Sequence, residues 1–315
     1  MKQPGTIIHA SRLLWKKAKA VRLRILDIVK PSLCRVGLLM SLFRIQTSKT
    51  LRRPFCRNRY IYLIDHIPKT GGTSIANHLA RYLNQEEFIR VYPEVDPSWV
   101  VPQNVGRYFQ KLSRARKKRI RVVMGHVVGY CVEDAFECAV RKICFIRKPI
   151  SYAVSLYHHV VRSGRLYEAG KIMRDHRAMN PLYQITSADG KLISFEEWYA
   201  MNTDRIQITR RLVRYHRRFS KKASDEEMLG MAKRVLEKFY FVGMTENPED
   251  FLIVFKLLGV PIEYRIENAG GHHGFSEERM KAIESFIHAK SPHEQALYEY
   301  ALQLNRNFKN SLSVS

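Results

Sequence analysis

The chain is a strongly basic polypeptide of 315 residues. Lys and Arg number 54 against 29 Asp and Glu, a formal net charge of +25, and 45% of the residues are hydrophobic. This composition excludes an intrinsically disordered chain, because it supplies enough apolar surface for a buried core. Five cysteines without a C-x-x-C pair indicate neither a zinc site nor a complete disulfide framework. The excess positive charge predicts an anionic partner.

The first 60 residues form a basic arm. They contain 15 Lys and Arg but a single acid, Asp27, which is a net +14. Residues 12–29 interleave basic and apolar side chains with helical spacing, which suits either an amphipathic helix on an anionic membrane or a solvated helix docked on the domain. Neither an apolar run of about 18 residues nor a signal peptide is evident. We predict a helical arm over 1–58, peripheral membrane contact through 1–55, and a cytoplasmic or membrane-peripheral protein.

Beyond the arm, predicted strands alternate with predicted helices. This order predicts one α/β domain over 59–310, with a P-loop-like, doubly wound, mostly parallel sheet flanked by helices. The stretches 84–120 and 165–200 read as mostly irregular, apart from a basic helical piece before the second strand. The predicted strands are 60–65, 121–127, 142–147 and 239–244, and the predicted helices are 74–83, 149–163, 203–219, 224–238, 248–258, 276–289 and 292–308.

The first strand runs into the segment "PKTGGTS", Pro68 to Ser74, which opens a helix. A helix N-terminus offers unpaired N–H groups to an anion, and two glycines let the backbone approach it closely. Lys69 precedes the glycines, whereas the Walker A lysine follows them, so an ordinary ATP-binding loop is disfavoured. The plain alternative is a glycine turn with a good helix cap. The loop therefore predicts an anion site of unspecified kind.

Two motifs together resemble the cofactor site of sulfotransferases, which use 3′-phosphoadenosine 5′-phosphosulfate (PAPS). "PKTGGTS" is similar to their 5′-phosphosulfate loop, and "CFIRKPISYAVSLY" places an Arg and a Ser eight residues apart, as their 3′-phosphate motif does. An Arg offers a fork of donors that suits a phosphate. The resemblance implies PAPS as co-substrate, no metal, and these cofactor-binding residues: Pro68, Lys69, Thr70, Gly71, Gly72, Thr73, Ser74, Arg147, Ser155 and Thr245.

A histidine follows the second predicted strand, in "VVMGHVVGY". A lone histidine at a strand end is often structural, but its ordinary pKa of about 6.5 also suits a general base. The segment resembles the Gly-His segment of uronyl and heparan sulfate 2-O-sulfotransferases, whose histidine is the base. Met124 stands where those relatives commonly carry a first histidine. The resemblance implies that His126 takes the acceptor proton and that Lys69 steadies the leaving group.

Further segments extend the resemblance over residues 60–308. "FYFVGMTENPEDFLIVF" and "EQALYEYALQLNRNF" are similar to the corresponding strand-helix and closing-helix segments of the carbohydrate branch. The resemblance implies sulfuryl transfer to a hydroxyl of a glycan or another acceptor, which the positive charge allows to be acidic. The basic segment 111–121 either grips such an acceptor or is a solvated helix face. The loop 268–275 is either a lid or a surface connection.

Three other classes of function compete with this reading. One is a catalytically inactive family member that only binds glycans, which the intact Lys69 and His126 argue against. A small-molecule kinase or other nucleotide-dependent enzyme would need a Walker-type lysine elsewhere in the chain and a pair of aspartates for Mg²⁺. Neither is found in the sequence. A basic nucleic-acid-binding protein would use the arm and "RARKKRIR", with steeply salt-dependent binding. That reading leaves Arg147, Ser155 and His126 without a role, so we expect no specific nucleic-acid partner.

Overall fold

The computed structural model describes residues 60–93, 95–168, 185–186, 191–216, 223–262 and 275–313. The predicted arm and most of the predicted lid, 268–274, lie outside the described residues. Within these ranges, no helix combines the length and the apolar character that a membrane crossing requires.

A five-stranded parallel sheet forms the centre of the described domain, in the order β2-β3-β1-β4-β5. The central strand β1 pairs with β3 on one side and with β4 on the other, so neighbouring strands come from different parts of the chain. This confirms the predicted doubly wound parallel sheet. The strands are β1 (Tyr60–Asp65), β2 (Phe88–Val91), β3 (Val122–Gly125), β4 (Ala139–Ile146) and β5 (Phe241–Met244).

Helices cover both faces of the sheet. A short 3₁₀ helix, Pro97–Val100, also follows β2. The α-helices of the described residues are α1 (Gly72–Tyr82), α2 (Pro102–Lys111), α3 (Arg114–Lys117), α4 (Tyr130–Glu133), α5 (Pro149–Glu168), α6 (Phe195–Ile206), α7 (Ile208–His216), α8 (Asp225–Leu236), α9 (Pro248–Leu258), α10 (Glu277–Lys290) and α11 (Pro292–Ser313).

Alternate strand residues enter separate parts of the core. Ile64 of β1 packs with α1 and α9, whereas its neighbour Leu63 packs with α2 and the loop after β3. Ile146 of β4 belongs to a third cluster with α5 to α8 and the two last helices. Because both faces are covered, β1 and the second half of β4, residues 143–146, form nearly continuous apolar runs rather than an alternating pattern.

Several predicted elements were wrong. The four-residue edge strand β2 was missed, because it is short and lies in a Pro-punctuated stretch. Gly164 does not end α5, which continues to Glu168, because a helix-interior glycine costs only roughly 1 kcal/mol. Helix α6 was predicted as irregular, although Ser194 and Glu197 form a capping box that is readable in the sequence. The helix predicted over 203–219 is divided at Gln207, which has an extended backbone.

The basic segment 111–121 leads into the amino-terminal end of β3, whereas His126 follows the carboxyl-terminal end of the same strand. The Arg121 N–H donates to the Glu87 carbonyl at 2.8 Å, at the start of β2 and β3, and two arginines of the segment form ion pairs with Glu86. His126 follows the other end of β3, roughly 16 Å away at about 3.3 Å per residue. This placement favours the solvated helix face over a grip on an acceptor beside His126.

Candidate functional site

The site lies where β1, β3, β4 and β5 end. The carboxyl ends of parallel strands lie at the same end of a sheet, and the residues that follow them converge there. The His66 N–H donates to the Gly125 carbonyl at 2.9 Å, which ties the segment after β1 to the end of β3. The Thr245 N–H donates to the Ile146 carbonyl at 2.9 Å, which ties the segment after β5 to the end of β4. The structure thus brings the predicted residues of four segments to the carboxyl-terminal end of the sheet.

The loop between β1 and α1 requires both of its glycines. Gly71 has φ +82°, a left-handed conformation that side chains disfavour, and an added Cβ would lie 2.7 Å from Cζ of Phe251. A Cβ at Gly72 would lie 1.9 Å from Cδ2 of His66. Lys69 also has a left-handed backbone, with φ 65°, at a cost of about 1–2 kcal/mol for a residue with a Cβ. The loop is thus held in a strained shape, as is common at functional sites.

The loop opens onto the N-terminus of α1. The first N–H groups of a helix have no partner within the helix and point toward its N-terminal end, which makes an anion site. Thr73 is exposed at this end, whereas Ser74 is buried and Pro68 is half-buried. The Thr70 hydroxyl is buried and donates to the Ile67 carbonyl at 2.7 Å, so it stabilises the loop itself. The assignment of these residues to a phosphate stays a prediction.

Three cationic side chains gather at the loop. Nη1 of Arg147 donates to the Lys69 carbonyl at 2.8 Å, so the two motifs found in the sequence are in contact. Burial lowers the pKa of Lys69, and the nearby charges of Arg162 and Arg147 lower it further. Within the described residues, no carboxylate lies within ion-pair distance of any of the three. Lys69 and Arg147 are partly buried and Arg162 is exposed, and the charge of Glu246 acts on Arg147. A cluster of three cations without a carboxylate in direct contact fits a multiply charged anion.

Helix α5 carries Arg162 and one further polar residue of the predicted site, Ser155. Ser155, predicted from its spacing to Arg147, is partly exposed on α5. Arg162 lies seven residues further along, which places it on the same face of the helix as Ser155. The charge of Arg162 acts on Lys69. The assignment of Ser155 to a second phosphate contact stays a prediction.

Thr245 supports the loop from the side of β5. Its hydroxyl lies 3.2 Å from the Ile146 carbonyl and 3.4 Å from the Thr70 carbonyl. A hydroxyl carries one proton, so it donates to either oxygen in turn. Thr245 thus joins the end of β4 to the loop after β1.

His126 is one of two imidazoles in the site. Its ring centroid lies 4.5 Å from that of His66, with the planes tilted by 32°. Nδ1 of His126 lies 2.7 Å from the His66 carbonyl oxygen, and Nδ1 of His66 lies 2.8 Å from the Tyr92 hydroxyl. Met124 is fully buried in β3. The second imidazole of this site therefore comes from His66.

The two rings differ in exposure, and the pKa of His66 is lowered. His66 is buried, and burial together with the charges of His126, Arg211 and Lys69 holds its pKa well below the ordinary value. His126 is partly exposed. A carbonyl only accepts, so Nδ1 of His126 is the donor, and the lone pair of the neutral ring is at Nε2. His126 is thus the more accessible of the two rings.

Sequence reasoning missed His66, Tyr92, Arg162 and Arg211 as residues of this region. His66 follows β1 directly, so the rule that ligands meet at strand ends would have found it. Tyr92 directly follows β2, the strand that was not predicted. Arg162 lies on a helix that was predicted to end one residue later, with no motif to mark it. Arg211 comes from α7, and no local pattern relates it to the sheet.

The chain is similar in sequence to a known protein family. A family model described as the sulfotransferase family matches residues 55–302. Among solved structures, the chain is similar to a sulfotransferase from Alicyclobacillus acidocaldarius, with 15% identity, a TM-score of 0.39, and coverage of 78% of this chain and 96% of that one. It is also similar to retinol dehydratase in complex with androsterone and inactive cofactor PAP, with 15% identity, a TM-score of 0.22, and coverage of 75% and 81%. No curated protein sequence matches the chain.

Proposed function

Because the chain belongs to the sulfotransferase family, we propose that it transfers a sulfuryl group from PAPS to a hydroxyl group of a carbohydrate acceptor. The observation that supports this most directly is the gathering of Lys69, Arg147 and Arg162 beside the glycine loop and His126, with no carboxylate of the described residues at ion-pair distance from them. PAPS carries phosphates at both ends of its ribose and one activated sulfuryl group. A site with separate cationic groups at a helix N-terminus suits that distribution of charge.

The residues of the chain have distinct roles in this proposal. The α1 N-terminus and the loop hold the 5′-phosphosulfate, while Arg147 and Ser155 hold the 3′-phosphate. Lys69 stands where charge develops on the leaving phosphate oxygen. Electrostatic stabilisation and positioning supply most of the catalysis in such transfers, as they do in phosphoryl transfer.

His126 is the proposed general base. Its Nε2 takes the proton of the acceptor hydroxyl as the acceptor oxygen bonds to sulfur and the bond from sulfur to the phosphate oxygen breaks. The His66 carbonyl holds Nδ1 as the donor, so the neutral ring presents the correct nitrogen. His66 is the poorer candidate, because it is buried and its pKa is lowered.

The carbohydrate acceptor is supported by the resemblance of the His126 segment to the 2-O-sulfotransferase branch. His66 supplies a second imidazole where this chain carries Met124 in place of the relatives' first histidine. A small hydroxyl acceptor is the alternative that an assay must include. We further propose that residues 1–55 contact anionic membrane surfaces, on the basis of their net positive charge and the amphipathic pattern over 12–29.

The test of the proposal is transfer of radiolabelled sulfate from PAPS to a panel of glycans and small hydroxyl acceptors. Lys69→Ala and Arg147→Ala should each lower turnover and weaken binding of 3′,5′-adenosine bisphosphate (PAP), measured by calorimetry. Lys256→Ala, an exposed lysine in the last turn of α9, is the matched control and should behave as wild type. Tight ATP–Mg²⁺ binding without PAP binding would refute the proposal in favour of a kinase-like enzyme.

A further inference from the structure

We propose that Arg211 is a positioning residue that holds both histidines of the site through their backbone carbonyl groups. Arg211 lies on α7, 85 residues after His126 and 145 after His66. Its Nη2 lies 2.5 Å from the His126 carbonyl oxygen and 3.4 Å from that of His66. One side chain from the second half of the chain thus joins the segments that follow β1 and β3. This inference rests on the proposed function, because it gives His126 its orientation for catalysis.

The His66 carbonyl connects Arg211 directly to the proposed base. That oxygen accepts from Nδ1 of His126 at 2.7 Å and also faces Nη2 of Arg211. Because His126 is held by Arg211 at its own carbonyl and by the His66 oxygen at its ring, a displacement of Arg211 alters both contacts at once. The expected consequences are a tilted His126 ring and a weaker preference for the tautomer with the proton on Nδ1.

Arg211 is itself held by a buried acid. Its Nη2 lies 3.3 Å from Oδ1 of Asp65, whose Oδ2 lies 2.9 Å from Nε2 of His216. Burial alone would raise the pKa of Asp65, but the charge of Arg211 and the hydrogen bond with His216 outweigh it, so the pKa is lowered. Asp65 is therefore ionised and provides a counter-charge for the guanidinium. Asp65 is also the residue before His66, so it anchors Arg211 to the site from β1.

Helix α7 approaches the loop after His126 closely enough to fix this arrangement. A Cβ at Gly129, three residues after His126, would lie 2.0 Å from the Tyr215 carbonyl oxygen. The Arg211 guanidinium also lies 4.9 Å from the centroid of the Tyr215 ring. Only 14% of the Arg211 side chain is exposed. All three oxygens, one of a carboxylate and two of carbonyls, face the single atom Nη2, which carries two protons, so it donates to two of them at a time.

The experiment compares full-length Arg211→Met and Arg211→Lys with wild type. The matched control is Arg210→Met, since Arg210 is the preceding residue on α7 but pairs with Asp225 at 2.8 Å. Arg211→Met should lower kcat on the order of 100-fold, the lower end of what loss of a general base costs, while PAP affinity stays within about threefold. Arg211→Lys should be intermediate. Arg210→Met should keep kcat.

A second readout needs no acceptor. Two-bond ¹⁵N–¹H NMR of the PAP-bound protein should show the His126 proton on Nδ1 in wild type and in Arg210→Met. Arg211→Met should show a mixture of tautomers. Should Arg211→Met fail to fold, Arg211→Lys decides, because the proposal then requires a loss of kcat at unchanged PAP affinity in that variant.

Three outcomes would overturn the inference. The first is a kcat within about twofold of wild type together with an unchanged His126 tautomer. The second is a parallel loss of kcat, PAP affinity and melting temperature, which indicates a merely structural role. In the third, wild type neither transfers sulfate nor binds PAP, and the proposed function fails as well. Wild-type turnover with unaffected Arg211 variants would refute this inference alone.

Discussion

Nδ1 of His126 donates to the carbonyl oxygen of His66 at 2.7 Å, and the two rings lie 4.5 Å apart. One strand end therefore orients the imidazole of another. Because Nδ1 donates, the neutral His126 ring carries its lone pair at Nε2, the atom that a general base needs. The buried His66 ring, with its lowered pKa, stays neutral beside it and adds no positive charge.

The first prediction concerns His126 itself. His126→Gln should lower kcat for sulfuryl transfer by about 10²–10⁴-fold, because the acceptor proton then has no base. PAP affinity should be unchanged, since the ring is not among the groups proposed to hold the nucleotide. Steady-state kinetics and calorimetry measure the two effects. His288→Gln, an exposed histidine on α10, is the control, and full activity of His126→Gln would remove the base assignment while leaving the family membership in place.

The second prediction concerns the glycine loop. Gly72→Ala should destabilise the fold by about 1–3 kcal/mol, because the new Cβ must displace the buried His66 ring. It should also weaken PAP binding, since the loop can no longer keep its shape at the α1 N-terminus. Denaturant unfolding and calorimetry are the measurements.

A matched glycine in α8 is the control for this substitution. The nearest atom to a Cβ at Gly230 is Nη1 of Arg234, at 3.6 Å. Gly230→Ala should therefore stabilise the protein by about 0.5–1 kcal/mol, the ordinary gain at a helix-interior glycine. Wild-type stability and PAP affinity in Gly72→Ala would contradict the packing described for the loop.

The third prediction is a pH dependence of stability from His66. Its pKa in the folded protein lies well below 6.5, so below pH 6.5 the unfolded chain binds a proton that the folded chain does not. The free energy of unfolding should fall as pH drops from 6.5 toward the folded-state pKa, by up to about 1.4 kcal/mol per pH unit. Above pH 6.5 this contribution is constant, because both states are neutral at this residue.

Urea unfolding at pH 7.5, 6.5 and 5.5 measures this slope. His66→Gln should flatten it, whatever the absolute stability of that variant. His288→Gln should keep the wild-type slope, because His288 is exposed. An equal slope in wild type and His66→Gln would show that the proton uptake belongs to another group.

The fourth prediction concerns the N-terminal arm. Deletion of residues 1–55 should leave kcat for a soluble acceptor within about twofold of wild type. It should abolish co-sedimentation with phosphatidylserine-containing vesicles, and the binding by the full chain should weaken as salt is added. Vesicles of pure phosphatidylcholine are the control. A large loss of turnover after the deletion would instead place the arm in the fold or in the acceptor site.

Local sequence was enough to predict the framework of the site. The strand, the two glycines and the helix start are contiguous, so residues 60–83 could be read without knowledge of the fold. Arg147 and Ser155 likewise lie at a fixed spacing on one strand-to-helix junction. The alternation of strands and helices predicted the parallel sheet, because that order requires crossover connections. The short edge strand β2 left no such signal.

Only the tertiary structure decided which side chains meet. The contact between His66 and His126 joins two strand ends 60 residues apart, and Arg211 reaches both from α7. The basic segment 111–121 is adjacent in sequence to the strand before His126, yet the length of β3 separates the two, so they lie at opposite ends of that strand. Spacing along a chain determines contacts within a turn or a helix, whereas contacts between strand ends depend on sheet order and helix packing, which no local pattern specifies.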